Sequence, residues 1–307
     1  MTAILEAKGL SKWYGQVIAT NKVSFAIGPG VTGLLGPNGA GKSTLMKLAA
    51  GQLRPSQGEI TLWGESVWNN YPLFQRIGFC PEQDSFYERM TGAEFVATLL
   101  RLHGYSESEV ARRTETAIER VNMIAARDKK IGAYSKGMRQ RVKMAQALAH
   151  DPDLLILDEP LSGMDPVARR ETIKFVRALG KEGKCVIVSS HILHEIEAMT
   201  KNILLMHNGQ VLAEGHVHQI RDLIDKHPHH ILIRCTEPRR LGEALVGFSD
   251  VVSVRFHPEG GALTFESRKP DEFYGRLPEI LLRHEIDLGE ITSPDDNLQA
   301  VFQYLVK

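Results

Sequence analysis

An apolar run, Val31-Thr-Gly-Leu-Leu35, leads directly into Gly36-Pro-Asn-Gly-Ala-Gly-Lys-Ser-Thr44. Ser43-Thr-Leu-Met-Lys-Leu-Ala-Ala50 then has helical character until Gly51 stops it. This succession of strand, glycine-rich turn and helix constrains the fold more than any other feature of the chain. Gly36, Gly41, Lys42 and Ser43 fall at the fixed positions of a phosphate-cradling loop. Asn38, Gly39 and Ala40 complete the loop, and Thr44 follows at the start of the helix. Glycines let successive backbone N–H groups curl around phosphate oxygens, and the helix N-terminus adds partial positive charge. Lys42 is expected to reach the β- and γ-phosphates of a nucleotide, and the Ser43 hydroxyl to ligate magnesium. So short a pattern arises by chance in about one chain in a hundred, and the assignment needs a second, independent motif.

Asp153-Leu-Leu-Ile-Leu-Asp-Glu-Pro160 supplies one. Asp158 ends a buried strand, where a carboxylate is costly unless it meets a cation or hydrogen-bond donors. Beside a phosphate loop, magnesium is the natural partner. Glu159, at the strand's exit, is placed to polarise an attacking water as general base. Further strands are expected at Ile4–Ala7, Val23–Ile27, Gly58–Trp63, Ile77–Cys80 and Cys185–Val188. Helical periodicity runs from about Glu94 to His150, and another helix has Pro166 near its start and Gly180 beyond its end. Continuous apolar strands separated by helices imply a buried parallel sheet in an α/β fold. Asn208-Gly209 reads as a hairpin turn between Ile203–Met206 and Gln210–Ala213.

Four more segments complete a family resemblance that covers residues 1 to about 215. Tyr134-Ser-Lys-Gly-Met-Arg-Gln-Arg141, Leu161-Ser-Gly-Met-Asp165 and Ser189-Ser-His191 follow one another around the carboxylate strand, with Trp13-Tyr14-Gly15 upstream. In kind and order they resemble the signature, D-loop, switch histidine and adenine-stacking aromatic of the ATP-binding cassette (ABC) transporter ATPases. The resemblance implies a P-loop (RecA-like) sheet, an antiparallel β subdomain and a helical signature subdomain at about 88–150. It implies ATP and Mg2+ as ligands, with Glu159, His191 and Lys42 serving hydrolysis. Tyr14, with Trp13 as its competitor, would stack on adenine. Two cassettes, in a homodimer or with a sister cassette, would sandwich two ATP molecules. Ser135 and Gly137 of one cassette would grip the γ-phosphate bound by the other, and Asp165 would line the interface. Ser135 is also a suitable cap for the helix behind it. An integral membrane permease would dock on about Glu82–Leu102, and transport, expected to be export, would follow.

The chain departs from the family pattern twice. After Pro81 stand Glu82 and Gln83, where the family has one magnesium-sensing glutamine; Glu82 is expected at the aligned position, and either residue can reach the metal. Lys136 and Met138 replace a glycine and a glutamine of the signature, while Ser135 and Gly137 remain.

After a linker at 216–230, residues 231–307 show the order β-α-β-β-α-β, which predicts a small α+β, ferredoxin-like domain, with a final helix at Asn297–Val306. Its histidines (His216, His218, His227, His229 and His230 cluster at the linker) lack the spacing of a metal site, so a solvated segment is expected. Lys plus Arg and Asp plus Glu both number 37, so no global charge favours nucleic acid. The basic residues Lys136, Arg141 and Lys143 are ascribed in part to phosphate at the ATP interface. No stretch is long and apolar enough to span a bilayer, and Met1–Lys8 lacks the shape of a signal peptide. The expected location is therefore cytoplasmic, peripheral on the membrane's inner face through the permease. The three cysteines are expected to be buried thiols. The competing reading is a soluble cassette ATPase acting on ribosomes or DNA, which typically carries a second cassette or a long coiled-coil insertion.

Overall fold

In the computed structural model of the chain, residues 3–216 and 228–293 are described. The chain divides into two compact units, Met1–His216 and Val217–Lys307.

In the first unit, β3 (Gly30–Leu35) lies at the centre of a six-stranded sheet. Its neighbours are β8 (Cys185–Ser190) and β9 (Asn202–His207), with β7 (Leu154–Leu157) and then β6 (Ile77–Cys80) beyond β8. All of these run parallel, and β10 (Gln210–His216) adds one antiparallel edge beside β9. Every residue of β7 and β8 is buried, as the continuous apolar runs require of a sheet covered on both faces. The β9–β10 turn has φ of 46° at Asn208 and 76° at Gly209, the paired left-handed conformation that suits Asn-Gly.

A second, antiparallel sheet has the order β2 (Val17–Ile27), β1 (Leu5–Tyr14), β4 (Gln57–Leu62) and β5 (Glu65–Ser66). β1 and β2 outrun the predicted strands because their hairpin continues past the core, leaving Trp13, Tyr14, Val17 and Ile18 exposed. Leu5, Leu10, Ile60 and Leu62 pack with Leu34, Leu48, Ile156 and Leu204 in one core shared by the two sheets. Each such fully buried side chain contributes about 1.5–3 kcal/mol.

Helices bracket the sheet: α1 (Lys42–Ala49), the short α2 (Tyr71–Phe74), α6 (Pro166–Lys181) and α7 (Leu193–Met199). Gly180 lies inside the last turn of α6 rather than beyond it. A β-carbon there would stand 2.6 Å from Val31 Cγ2, so glycine serves the close approach of helix to β3, not the helix end. Between β6 and β7 stand α3 (Gly92–Leu102), α4 (Glu107–Arg120) and α5 (Lys136–Leu148). Thr91 and Glu94 form a reciprocal capping box on α3, and Ser106 caps α4.

In the second unit, β11 (His229–Cys235), α8 (Pro238–Val246), β12 (Val251–Phe256), β13 (Ala262–Ser267), α9 (Pro270–Arg283) and β14 (Leu288–Thr292) follow in the predicted order. The sheet order is β12-β13-β11-β14, antiparallel throughout. Ile231, Ile233, Leu263 and Phe265 pack on Leu241, Leu245, Phe273 and Leu277 as a core of their own. β11 starts at His229, two residues inside the predicted linker, and Ile286 is buried just ahead of β14. Residues 217–227 of the linker, with His218 and His227, and the final helix lie outside the described residues. Cys80, Cys185 and Cys235 are buried and unbridged. Burial pushes the Cys80 and Cys185 thiols up to about 12.

Candidate functional site

The loop after β3 requires its glycines. Gly39 and Gly41 have φ of 81° and 99°, left-handed values that a side chain resists. A β-carbon on Gly36 would stand 2.3 Å from the Met206 carbonyl oxygen, and one on Gly41 2.3 Å from that of Ala19. No side chain caps α1 and no acidic residue occupies its first turn, so its N–H groups and dipole are left for an anion. The Lys42 ammonium folds back on the loop, donating to the Gly36 and Pro37 carbonyls at 2.7 and 3.1 Å. Burial lowers its pKa, against the opposing pull of Glu159, Asp158 and Glu82. That pull favours the charged form a phosphate would meet.

Across from the loop, β7 runs out at Leu157 into Asp158 and Glu159. Asp158 is 3% exposed. Its carboxylate accepts from the Ser189 hydroxyl at 2.7 Å, and that hydroxyl accepts from the Glu159 N–H at 2.8 Å. Glu159 adopts φ of 47°, a turn of the backbone that costs about 1 kcal/mol or more and occurs where the surroundings enforce it. Its carboxylate meets His191 Nδ1 at 3.1 Å from both oxygens. Because a carboxylate accepts, Nδ1 carries the proton. A cavity of about 470 Å³ brings these groups together, with Asn38 to Thr44 on one side and Glu82, Glu159 and His191 on the other.

Several predicted residues lie elsewhere. Gln83 is not among the cavity's lining residues, whereas Glu82 is; of the two, only Glu82 faces the phosphate loop. Tyr14 is 47% exposed and outside the lining. Its register partner Val17, and Ile18 beside it, form that wall. In the sequence, the signal for this wall is the β-branched pair Val17-Ile18 that follows Trp13-Tyr14-Gly15. Ser135, exposed, caps α5 through the Met138 N–H at 3.3 Å, and neither it nor Gly137 lines the cavity. The Asp165 carboxylate caps α6, accepting from Val167 and Ala168 at 2.9 Å, and these bonds hold its pKa below the usual carboxylate range.

The basic residues of α5 need a correction. Lys143 is buried and bonded to the segment after β6, so its charge is already taken up within the subunit, while Arg141 pairs with Glu171 at 2.9 Å and also helps lower the pKa of Asp165. Lys136, the signature departure, lies across Gly163. A β-carbon there would stand 2.1 Å from its Cδ, and its ammonium is 3.5 Å from Ser162 Oγ. Ser189, two residues before His191, anchors both carboxylate residues. Among the described residues, no group of three or more His, Cys, Asp or Glu could hold a metal. Magnesium does not need one, because it is commonly held by one or two carboxylates with substrate phosphates.

A parallel sheet with an uncapped helix behind a glycine loop, facing a carboxylate pair and a histidine, defines a nucleotide-hydrolysing ATPase of the P-loop class. The family model for ABC transporters matches residues 20–162. NatA, an ABC transporter ATP-binding protein of Bacillus subtilis, is 38% identical over 202 residues, 65% of this chain and 82% of that protein. The Nod factor export ATP-binding protein I of Cupriavidus metallidurans is 32% identical over 88% of both chains. The bacitracin transport ATP-binding protein BcrA of Bacillus licheniformis is 28% identical over 100% of this chain and 98% of its own. A solved ATP-binding subunit of an ABC transporter superposes with a TM-score of 0.65 at 30% identity, over 72% of this chain and 93% of that one. The chain belongs to the ABC transporter family, as an ATP-binding subunit with the ATPase fold. Among the described residues no helix is long and apolar enough to cross a membrane.

Proposed function

We propose that this subunit binds and hydrolyses ATP in a sandwich of two cassettes and so powers export through a separate permease. The observation that carries this reading is that the cavity is half a site. Phosphate loop, Lys42, Glu159 and His191 meet there, while Ser135 and Gly137 stand outside it at the exposed start of α5. A second copy, or a sister cassette, would bring that helix N-terminus to the γ-phosphate. Glu159 acts as general base on the attacking water, held by His191 and by the turn its backbone makes. Lys42 exchanges its two loop carbonyls for phosphate oxygens. Tyr14 stacks on adenine with Val17 as the floor beside it, and Asp165 lines the interface.

Ser43 and Asp158, with Glu82 near them, are oxygen donors suited to magnesium, and a buried aspartate with a hydroxyl fits a Mg-nucleotide site. When bound, the ion neutralises charge on the phosphates. Gln83 serves as the outer neighbour of Glu82.

A groove of about 690 Å³ includes Phe79, Pro81, Phe86, Tyr87, Phe95 and Leu99. We assign it, within Glu82–Leu102, to a short cytoplasmic helix of the permease, which would place the subunit at the inner face of the membrane. Export is supported by the names of relatives that serve bacitracin transport and Nod factor export. Residues 1–215 form the ATPase domain, with a helical subdomain at about 88–150, and 216–230 the linker. Residues 231–307 form a ferredoxin-like domain, a reading supported by the antiparallel strand order, and it stabilises the dimer. No nucleic-acid partner is expected.

The test is a pair of variants. Glu159→Gln should bind Mg-ATP, turn over at least about a hundredfold more slowly, and shift from monomer to dimer on sizing with Mg-ATP. Lys42→Ala should lose nucleotide affinity. A Glu159→Gln protein that stays monomeric with Mg-ATP contradicts the sandwich, and purification of the tagged chain with ribosomes or DNA overturns the transport reading.

A further inference from the structure

Strand β6 is an edge of the six-stranded sheet, and its carbonyls divide between two partners. Those of Arg76 and Cys80 accept from Leu154 and Asp158 on the β7 side. The alternate set, Ile77, Phe79 and Pro81, points the other way, because successive strand carbonyls face opposite edges. A free edge of this kind normally needs covering. The cover is a row of side chains on α5 and just past it. His150 Nε2 donates to Ile77 at 3.0 Å, Gln146 Nε2 to Phe79 at 2.7 Å, and the Lys143 ammonium to Pro81 at 3.0 Å. Spacings of three and four residues place these donors on one helical face. The approach is close: a β-carbon on Gly78 would stand 2.0 Å from the Ala147 carbonyl oxygen.

Lys143 is the last rung and differs from the others. Its side chain is 3% exposed, and its ammonium has three acceptors: Pro81 O, Glu82 O at 2.8 Å and the Asp84 carboxylate at 2.9 Å. An ammonium has three N–H donors, so all are used. Arg139, one turn earlier on the same face, reaches Glu88 at 3.1 Å and continues the row along the loop. Lys143 lines the apolar groove, while Glu82, whose backbone it holds, lines the nucleotide cavity. The same helix carries Ser135 at its N-terminus.

We propose that Lys143 is a positioning residue for hydrolysis: it fixes the Pro81–Glu82 backbone so that the Glu82 carboxylate is held at the nucleotide cavity, in register with the helix that carries Ser135. This rests on the reading of Glu82 as a residue that serves the bound Mg-nucleotide. Pro81, next to Glu82 in the chain, also lines the groove, and Lys143 ties both backbone carbonyls to α5. Lys143 itself lies outside the nucleotide cavity, so its loss should weaken turnover and spare nucleotide affinity.

The experiment compares Lys143→Met, Glu82→Ala and the double variant in the full chain, by steady-state ATPase kinetics and ATP binding. Methionine keeps the apolar stem and deletes the donors. Expected is a kcat at least about tenfold lower for Lys143→Met, an ATP affinity within about twofold of wild type, and a double variant no slower than the slower single one. Lys143→Gln, which retains an amide donor, should regain part of the rate, and it replaces the methionine variant if that one does not fold. An unchanged kcat at Lys143, equal losses in kcat and affinity, or losses that multiply in the double variant overturn the proposal. Wild-type kinetics in Glu82→Ala would instead overturn the role of Glu82 itself.

Discussion

His150 is 7% exposed and stacks on His103 with ring centroids 4.5 Å apart. Burial, reinforced by His103, lowers its pKa to about 4, while its bond to the Ile77 carbonyl and Asp151 pull the other way and Arg113 adds to the lowering. The neutral ring therefore belongs to the folded chain, and the unfolded chain binds one more proton between about pH 4 and 6.5. This contribution is fully present above the unfolded value and is lost as pH falls through that window. From pH 7 to pH 5 it should cost about 2 kcal/mol of stability. Urea unfolding at both pH values checks this: His150→Gln, which keeps a donor for Ile77, should lose less stability over that interval than wild type. Equal slopes in the two proteins would remove His150 as the cause. The residues that make the nucleotide cavity were largely legible, because Gly36 to Ser43, Asp158 and Glu159 lie in contiguous motifs whose chemistry dictates spacing. Lys143, Gln146 and His150 were not. A polar residue on a helix ordinarily reads as a solvated face, and nothing in one dimension tells that their partners are the carbonyls of a distant sheet edge. Ser189 was hidden likewise, since its hydroxyl is given meaning only by two residues thirty positions earlier.

At the level of elements, strand and helix positions followed from pattern, and the differences came from contacts between elements. Gly180 read as a stop, yet it is a point of close packing, and the β1–β2 hairpin ran on past its buried half. Gly78 makes the same point with a measurable consequence. It permits α5 to lie against β6, and alanine there would bring a methyl to 2.0 Å from the Ala147 carbonyl and 2.9 Å from Pro152. Both neighbours are held, one in a helix and the other by its ring, so the helix must move. Gly78→Ala should therefore cost about 1–3 kcal/mol, read as a lower urea midpoint. It should also slow ATP turnover, because backing α5 away stretches the bond from Gln146 to Phe79 and those from Lys143. A variant with wild-type midpoint and rate would show that the helix edge has slack and that the ladder does not hold it in register. Lys136 presents the complementary arrangement, a long side chain lying over a glycine whose φ is 69°. The signature segment and the loop of Ser162 and Gly163 thus touch within one subunit.

The whole molecule consists of two units with separate cores, one built on Leu5, Leu34 and Ile156, the other on Ile231, Phe265 and Phe273. Separate cores mean that residues 1–216 should fold and bind ATP without the rest. The second unit then has to be explained by something other than completing the cavity, every lining residue of which lies in the first. Its sheet buries Ile231, Ile233 and Phe265 on one face, while the other carries the pairs Arg234–Glu290 at 3.1 Å and His230–Glu266 at 3.8 Å. If this unit adds a second contact to the cassette dimer, its effect is one of linkage. Once two ATP-bound cassettes meet, the second contact forms within the complex and raises its lifetime without changing either cavity. With Glu159→Gln to block turnover, the full chain and residues 1–216 can be compared by sedimentation over a range of concentrations in Mg-ATP. The full chain should dimerise with a dissociation constant at least about tenfold lower, while both bind ATP equally at concentrations where each is a monomer. Identical dimer constants would remove this role from the second unit and leave the sandwich to ATP and the two cassettes alone. Weaker ATP binding by the shorter chain would show instead that the cavity depends on the second unit and that the two do not act separately.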